Sequence, residues 1–181
     1  MFVTHPTPPP YRFYGFMEKI LYVLLCVVTA GLLCLVSAFD LKTKKIPHML
    51  LAALAAPAIA AVWIVPGVAV WERAVGLVAV SLPLLLLSLA VKGAFGAGDI
   101  KLFAVCGFLL GWKSLLLAFY IAVMLGGAVS LILLFTRFKG KNKRGASIAF
   151  APYISAGVIT MLIWGEHLLE IIYNLRVILF S

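Results

Sequence analysis

The sequence predicts an all-α, polytopic membrane protein with about six transmembrane helices. Hydrophobic residues make up 65% of its 181 residues and charged residues only 12%, whereas soluble domains are about half apolar and a quarter charged. A water-soluble globule of this length could not bury so much apolar surface, so lipid must solvate much of it. The charges fall between apolar stretches, as they do in proteins that cross the membrane repeatedly.

Six charge-poor stretches are read as spans. They cover about residues 20–39, 48–65, 70–91, 100–111, 114–135 and 147–164. The first holds twenty residues without a charge, enough to cross a hydrocarbon core of about 30 Å at about 1.5 Å per residue. Pro47 suits the first turn of the second helix, and Pro83 predicts a kink in the third.

The remaining residues flank this membrane domain, which covers residues 20–164. Residues 1–19 include Pro6, Pro8, Pro9 and Pro10 and are expected to form a flexible tail, because proline disfavours helix. Residues 165–181 are expected to form an amphipathic or membrane-associated segment.

The positions of the basic residues predict the orientation. Ten of the fifteen lysines and arginines fall in the connections after spans one, three and five: Lys42, Lys44, Lys45, Lys92, Lys101, Arg137, Lys139, Lys141, Lys143 and Arg144. The positive-inside rule places these connections in the cytoplasm and the amino terminus outside. The net charge of +9 is therefore read as a topology signal, and no nucleic-acid partner is predicted.

The two aspartates of the chain, Asp40 and Asp99, both fall on the predicted cytoplasmic side, while all four glutamates fall on the other. Asp40 follows the first span, where the helix dipole disfavours a negative charge, and Asp99 precedes the fourth, where it favours one. The apolar part of that fourth span is only about 16 Å long. Its start is therefore expected to draw Asp99 below the membrane surface, which makes this residue a functional candidate.

Two carboxyl groups that converge on one water can hydrolyse a peptide bond. One takes a proton from the water and the other donates a proton to the carbonyl oxygen or leaving nitrogen, and close groups share one proton. Gly96 and Gly98 would allow a substrate backbone to approach Asp99 closely. Two simpler interpretations remain open: Asp99 as a helix N-cap, and Asp40 as a surface charge paired with Lys44 or Lys45.

Two motifs together are more specific. The segment that joins Asp40 to Ile46-Pro47, followed by Gly96-Ala-Gly-Asp99-Ile-Lys101, resembles the type IV prepilin peptidase family. These are polytopic GxGD aspartic proteases of the prokaryotic cytoplasmic membrane. The resemblance covers residues 20–164, and Ala-Pro-Tyr at 151–153 looks like the family's proline-containing segment. It implies that Asp40 and Asp99 are catalytic. The surrounding motif residues are expected to position the substrate: Gly96, Gly98, Ile46, Pro47 and Lys101.

The resemblance also implies a substrate, the prepilin, whose basic leader this family removes at the cytoplasmic face. Larger members also methylate the new amino terminus through an extra region that often carries CxxC motifs. This chain has no CxxC and only seven residues between Asp40 and His48, so it resembles the short, peptidase-only class of tight-adherence (Flp-type) pilus systems.

No cofactor or metal is predicted, because the three histidines lie in separate segments and HExxH is absent. Membrane lipid is expected to surround the spans. The basic run 137–144 could contact anionic lipid or an acidic part of the substrate, or it could simply set the topology. The sequence leaves the oligomeric state open.

The main alternative is a small transporter or assembly factor in which Asp40 and Asp99 handle protons or cations. A relay favours acidic groups spread through the membrane depth, whereas both aspartates here lie on one side. A GxGD protease acting on unrelated membrane peptides would share the chemistry and differ in substrate.

Overall fold

The chain folds into helices joined by short connections. A computed structural model describes residues 16–65, 67–91, 96–138 and 149–180. Its helices are α1 (Phe16–Thr43), α2 (His48–Ile64), α3 (Val70–Ala79), α4 (Ser81–Ala90), α5 (Ala97–Leu110), α6 (Trp112–Phe138) and α7 (Ala151–Phe180). The predicted all-α class is confirmed. Residues 1–15, which include the four prolines, lie outside the described residues, as do residues 92–95 and most of the basic run 137–144.

These helices form the expected set of apolar segments. Three stretches are long and apolar enough to cross a membrane: Phe16–Thr43, Val70–Ala90 and Trp112–Ile132. Shorter apolar helices cover His48–Ile64 and Ala151–Gly165. With the 14-residue α5, they correspond to the six predicted spans, and the polytopic membrane architecture is confirmed.

The third span is divided into α3 and α4 near its proline. The break falls at Val80, three positions before Pro83. Proline has no N–H to donate to the carbonyl four residues earlier, so the bond from residue 83 to Ala79 is missing. The irregularity expected at Pro83 therefore lies about one turn before it.

Two helix ends differ from the sequence boundaries. α1 begins at Phe16 and continues to Thr43, so Asp40 belongs to its last turn instead of following it. α7 passes through Gly165 without a break and ends at Phe180, whereas the sixth span was expected to end at residue 164. A single glycine costs a helix only about 1 kcal/mol, and packing of Leu168 against the core favours continuation.

The short α5 lies at the centre of the bundle, where it packs against α2, α3, α4, α6 and α7. Its Phe103 is fully buried and meets Phe119 of α6 edge-to-face, with ring centroids 5.4 Å apart. α5 and α3 touch through their backbones at Gly107 and Gly76, where a Cβ on either glycine would collide with the carbonyl of the other. Such small residues let membrane helices approach closely, and here they fix α5 against α3.

A buried arginine joins the carboxyl ends of two helices. Arg73 of α3 is fully buried. Its guanidinium group donates to main-chain carbonyls at the carboxyl ends of α2 and α5, and to one carbonyl in the connection between α2 and α3. The bonds run from Nε to Val68 O (3.3 Å), from Nη1 to Phe108 O (3.3 Å) and Leu109 O (2.7 Å), and from Nη2 to Ala61 O and Val65 O (both 2.9 Å). The last carbonyls of a helix have no donor within the helix. Arg73 therefore supplies donors to the last turn of α5, and it adds a second donor to the Ala61 and Val65 carbonyls, which also accept from the main-chain N–H groups of Val65 and Val68.

Candidate active site

Asp40 lies in the last turn of α1, at the end of the bundle opposite Arg73. The residue is 6% exposed, and its Oδ2 accepts a hydrogen bond from the main-chain N–H of Ala151, 3.1 Å away. Ala151 is the first residue of α7. The carboxyl end of the first helix is thus joined to the amino end of the last one through a buried carboxylate.

The chain reverses direction directly after Asp40. The Lys44 N–H donates to the Asp40 carbonyl at 2.8 Å, and Lys44 has a left-handed φ of 53°, a conformation that commonly ends helices. The Lys45 N–H donates to Thr43 Oγ1 at 3.3 Å, and this hydroxyl donates to Phe39 O at 2.9 Å. These bonds hold the connection to α2 close to the end of α1.

That connection rests on the amino end of α5 through Ile46 and Gly98. A Cβ built on Gly98 would lie 3.1 Å from Ile46 Cβ, so the absence of a side chain at 98 makes room for the isoleucine. Pro47 occupies the N-cap position of α2, with φ −63° and ψ 135°, one position before the first turn where it was expected. The predicted positioning residues Ile46 and Gly98 are thus in direct contact, and their role toward a substrate stays a prediction.

Asp99 lies in the first turn of α5, half-buried. Gly96 is the N-cap residue of α5, so Asp99 does not occupy the N-cap position. Its carboxylate nevertheless accepts a hydrogen bond from the main-chain N–H of Gly96, as the third residue of a capping box does. Asp99 thus contributes to the cap of α5 from inside the helix. A Cβ on Gly96 would come 3.1 Å from Asp99 Oδ2, so this glycine leaves space for the carboxyl group.

The structure brings the two aspartates together. Asp40 and Asp99 are close enough to interact electrostatically, although they belong to α1 and α5. Lys44 and Lys45, the partners considered for Asp40, are exposed, and no ion pair of Asp40 with either lysine occurs in the described part of the chain. The ion pair found there joins Lys113 Nζ to Glu72 Oε1 at 2.8 Å, at the opposite end of the bundle.

Two further predictions concern Lys101 and metal binding. Lys101 is exposed, one helical position beyond the half-buried Ile100. Within residues 16–65, 67–91, 96–138 and 149–180, no group of three or more His, Cys, Asp or Glu side chains could hold a metal ion.

The contribution of α7 was missed by reasoning from residue types. The segment 151–153 was noted only for its resemblance to a family pattern, and Ser37 and Ser155 were not considered. Ser37 Oγ donates to Ser155 Oγ at 2.8 Å, next to the contact between Asp40 and Ala151. A proline after a small residue at the start of a span was the available signal, because it marks a helix amino end.

Comparison with known proteins gives a consistent result. The model of the type IV leader peptidase family matches residues 27–131, more than half of the chain, and this stretch includes both aspartates. No solved structure matches.

Two curated proteins are similar in sequence. A prepilin leader peptidase/N-methyltransferase of Bacillus subtilis (strain 168) is 33% identical over 145 residues, which cover 80% of this chain and 57% of that protein. A protein of the same name from Legionella pneumophila is 33% identical over 79 residues, which cover 44% of this chain and 26% of that protein. The chain thus spans between about a quarter and somewhat more than half of these relatives.

Proposed function

Because the chain belongs to the type IV leader peptidase family, we propose that it is a membrane-embedded aspartic endopeptidase that removes the basic leader from type IV prepilins. The observation that carries this proposal is the approach of Asp40 and Asp99, from separate helices, to within electrostatic interaction distance. Both are acids, both lie at one end of the bundle, and such a pair can supply the general base and the general acid for hydrolysis of an amide by a water molecule.

In the proposed reaction a water molecule binds between the two carboxyl groups. Two neighbouring negative charges repel each other, so the pair holds one proton, and its titration belongs to both residues. The ionised member removes a proton from the water molecule. At the same time the oxygen of that water attacks the carbonyl carbon of the scissile bond. The protonated member gives its proton to the leaving nitrogen, and the proton taken from water restores the pair.

The short connection between α1 and α2 supports the peptidase-only class. It consists of residues 44–47, and the chain has no CxxC motif. We therefore propose cleavage without N-methyltransferase activity, the second activity in the names of both relatives. Flp-like prepilins are the proposed substrates.

The proposed location is the cytoplasmic (inner) membrane, with the amino terminus outside and the aspartates at the cytoplasmic face. The basic residues near the site, Lys42, Lys44 and Lys45, are exposed and support this orientation. Residues 165–181 are proposed to associate with the membrane as the end of α7.

Co-expression with an Flp-like prepilin tests the proposal. The wild-type protein is expected to shorten the precursor, and Asp40→Asn and Asp99→Asn are expected to leave it intact at equal membrane levels, as judged by immunoblot and mass spectrometry of the pilin. Unchanged precursor with the wild-type protein would contradict the proposed substrate. If both variants instead abolished ion flux in proteoliposomes and no peptide was cut, the transporter alternative would be correct.

Substitution at Gly98 tests whether its contact with Ile46 matters for the reaction. The added methyl group of Gly98→Ala would press on Ile46 at 3.1–3.2 Å and push the connection after Asp40 away from α5. Because a misplacement of about 1 Å can cost about a hundredfold in rate, we expect Gly98→Ala to lower the cleavage rate about tenfold without loss of folded protein.

Two variants sharpen this test. Gly127→Ala is the matched control, because a Cβ at Gly127 meets no atom within 4 Å, and it should cleave normally. Ile46→Val removes one of the crowded methyl groups and should partly restore the rate of Gly98→Ala. A Gly98→Ala protein with the wild-type rate would show that this contact does not set the site geometry.

A further inference from the structure

The buried contact between Asp40 and α7 uses a donor that the helix itself leaves free. The Phe150 carbonyl accepts the first bonds of α7, from Tyr153 N–H at 3.1 Å and Ile154 N–H at 3.3 Å, so Ala151 is the first helical residue. The first N–H groups of a helix have no acceptor within it. The Ala151 N–H donates to Asp40 Oδ2 at 3.1 Å, and Ala151 is fully buried.

A pair of serines holds the two helices in register beside this contact. Ser37 lies three residues before Asp40, and Ser155 lies four residues after Ala151, so each faces the same side of its helix as its neighbour. Ser37 Oγ donates to Ser155 Oγ at 2.8 Å. The Leu33 carbonyl oxygen also lies within hydrogen-bond distance of both hydroxyls, 2.8 Å from Ser37 Oγ and 3.2 Å from Ser155 Oγ. Such hydroxyl bonds join helices within membranes.

A third bond extends the seam between these helices. Tyr22 OH donates to Leu162 O at 2.7 Å, about five helical turns before Asp40 along α1. α1 and α7 are therefore tied together along most of their shared length, and sliding of one helix past the other would break several bonds together. The position of the Ala151 N–H relative to Asp40 is fixed by this seam.

We propose that the main-chain N–H of Ala151, held in place by Ser37 and Ser155, is the positioning group for Asp40 in the reaction. This inference rests on the proposed peptidase function. The carboxyl end of α1 disfavours a negative charge on Asp40, and the amino end of α7 favours one. A charge-assisted hydrogen bond from this end orients the carboxylate, so that its geometry toward Asp99 and the attacking water is set before substrate binds.

Exchange of one backbone atom tests the proposal most directly. Ala151→lactate, introduced by nonsense suppression, replaces the N–H with an oxygen and keeps the methyl side chain. Because this N–H has no acceptor within α7, the helix should remain intact. Hydrogen bonds to charged groups contribute enough for about a tenfold to hundredfold effect, and we expect kcat for prepilin cleavage to fall by that factor while KM changes less than about twofold.

The matched control is Ala156→lactate, which removes an ordinary main-chain bond inside the same helix and should leave kcat close to that of the wild type. Ser155→Ala should lower kcat severalfold, whereas Thr160→Ala should not, because the Thr160 hydroxyl bonds only the Ala156 carbonyl of its own helix in the described structure. Equal effects of Ala151→lactate and Ala156→lactate would overturn the proposal.

A second measurement does not depend on cleavage. In protein labelled with 15N-alanine, the Ala151 amide proton should shift upfield in Asp40→Asn, because the charged acceptor is lost, and should move less in Asp99→Asn. If the chemical shift of the Ala151 amide proton does not change in Asp40→Asn, the proposal would be overturned even if the protein cleaves prepilin. If cleavage is lost in both Asp→Asn variants but is normal with lactate at 151, the peptidase function stands and the positioning role is wrong.

Discussion

Either single replacement, Asp40→Asn or Asp99→Asn, is expected to slow prepilin cleavage about a thousandfold, within the range of general acid–base catalysis. The double variant is expected to be no slower than either single variant. Groups that act as one unit give strongly non-additive losses, because removal of the first already disables the second. This result would show that the pair found between α1 and α5 works as one catalytic device.

Initial rates with purified protein in detergent, at saturating and low prepilin concentrations, provide the measurement. Asparagine keeps the size of the side chain and an oxygen that can still accept the Ala151 N–H, so the fold should persist in each variant. Glu72→Gln is the control, because it removes an acidic group and its ion pair with Lys113 (2.8 Å) at the opposite end of the bundle. Losses that multiply in the double variant would mean that the two aspartates act in separate steps.

Removal of the buried guanidinium group is expected to have the largest effect on stability. Arg73→Met removes the guanidinium donor from the Phe108 and Leu109 carbonyls at the end of α5 and one donor from each of the Ala61 and Val65 carbonyls. An unsatisfied buried polar group costs about 1–3 kcal/mol. We expect a loss of at least about 3 kcal/mol in the free energy of unfolding, with several carbonyls affected together. Arg73→Lys keeps the charge but has three donors on one nitrogen, and should recover only part of the loss.

Thermal unfolding in detergent, followed by circular dichroism, would measure this difference. Lys113→Ala is the control, since it removes an ion pair whose lysine side chain is 56% exposed, and exposed pairs contribute at most about 1 kcal/mol. If Arg73→Met unfolds at the same temperature as Lys113→Ala, then Arg73 does not hold the two helix ends together.

The fold class and the family could be predicted because their signals are local. Charge-free stretches of membrane-spanning length are visible in the sequence, and the spacing of the GxGD and Ile-Pro motifs around Asp40 and Asp99 carries the family resemblance, which is confirmed. The proximity of the aspartates was expected from their shared side of the membrane. Their catalytic role is a proposal that the experiments above test.

The partners of two buried groups could not be predicted. In the sequence Arg73 is only one of the five basic residues outside the predicted cytoplasmic connections, yet its acceptors come from residues 61–68 and 108–109. The acceptor Asp40 and the donor Ala151 are 111 positions apart. No local pattern encodes such pairs, because they depend on how helices far apart in the chain are packed.

The glycines of the GxGD motif illustrate a different limit. Their lack of a side chain predicts space for a substrate, and this role stays a prediction. The structure shows in addition that Gly98 accommodates Ile46 and that Gly96 faces the Asp99 carboxyl group. A glycine in a motif indicates that another group packs closely against the backbone there. The sequence does not identify that group, whereas the structure does.

The bond from Ala151 to Asp40 also has a consequence for biosynthesis. The ribosome delivers both acids to the membrane within the first hundred residues, but the amide that meets Asp40 is made about fifty residues later. A nascent chain that has inserted α1 to α6 therefore contains both carboxyl groups while the amino end of α7 is still missing beside the first helix. On the proposed role of the Ala151 N–H, such an intermediate is expected to cleave prepilin at least about tenfold more slowly than the complete protein, so full activity would come only with the final helix.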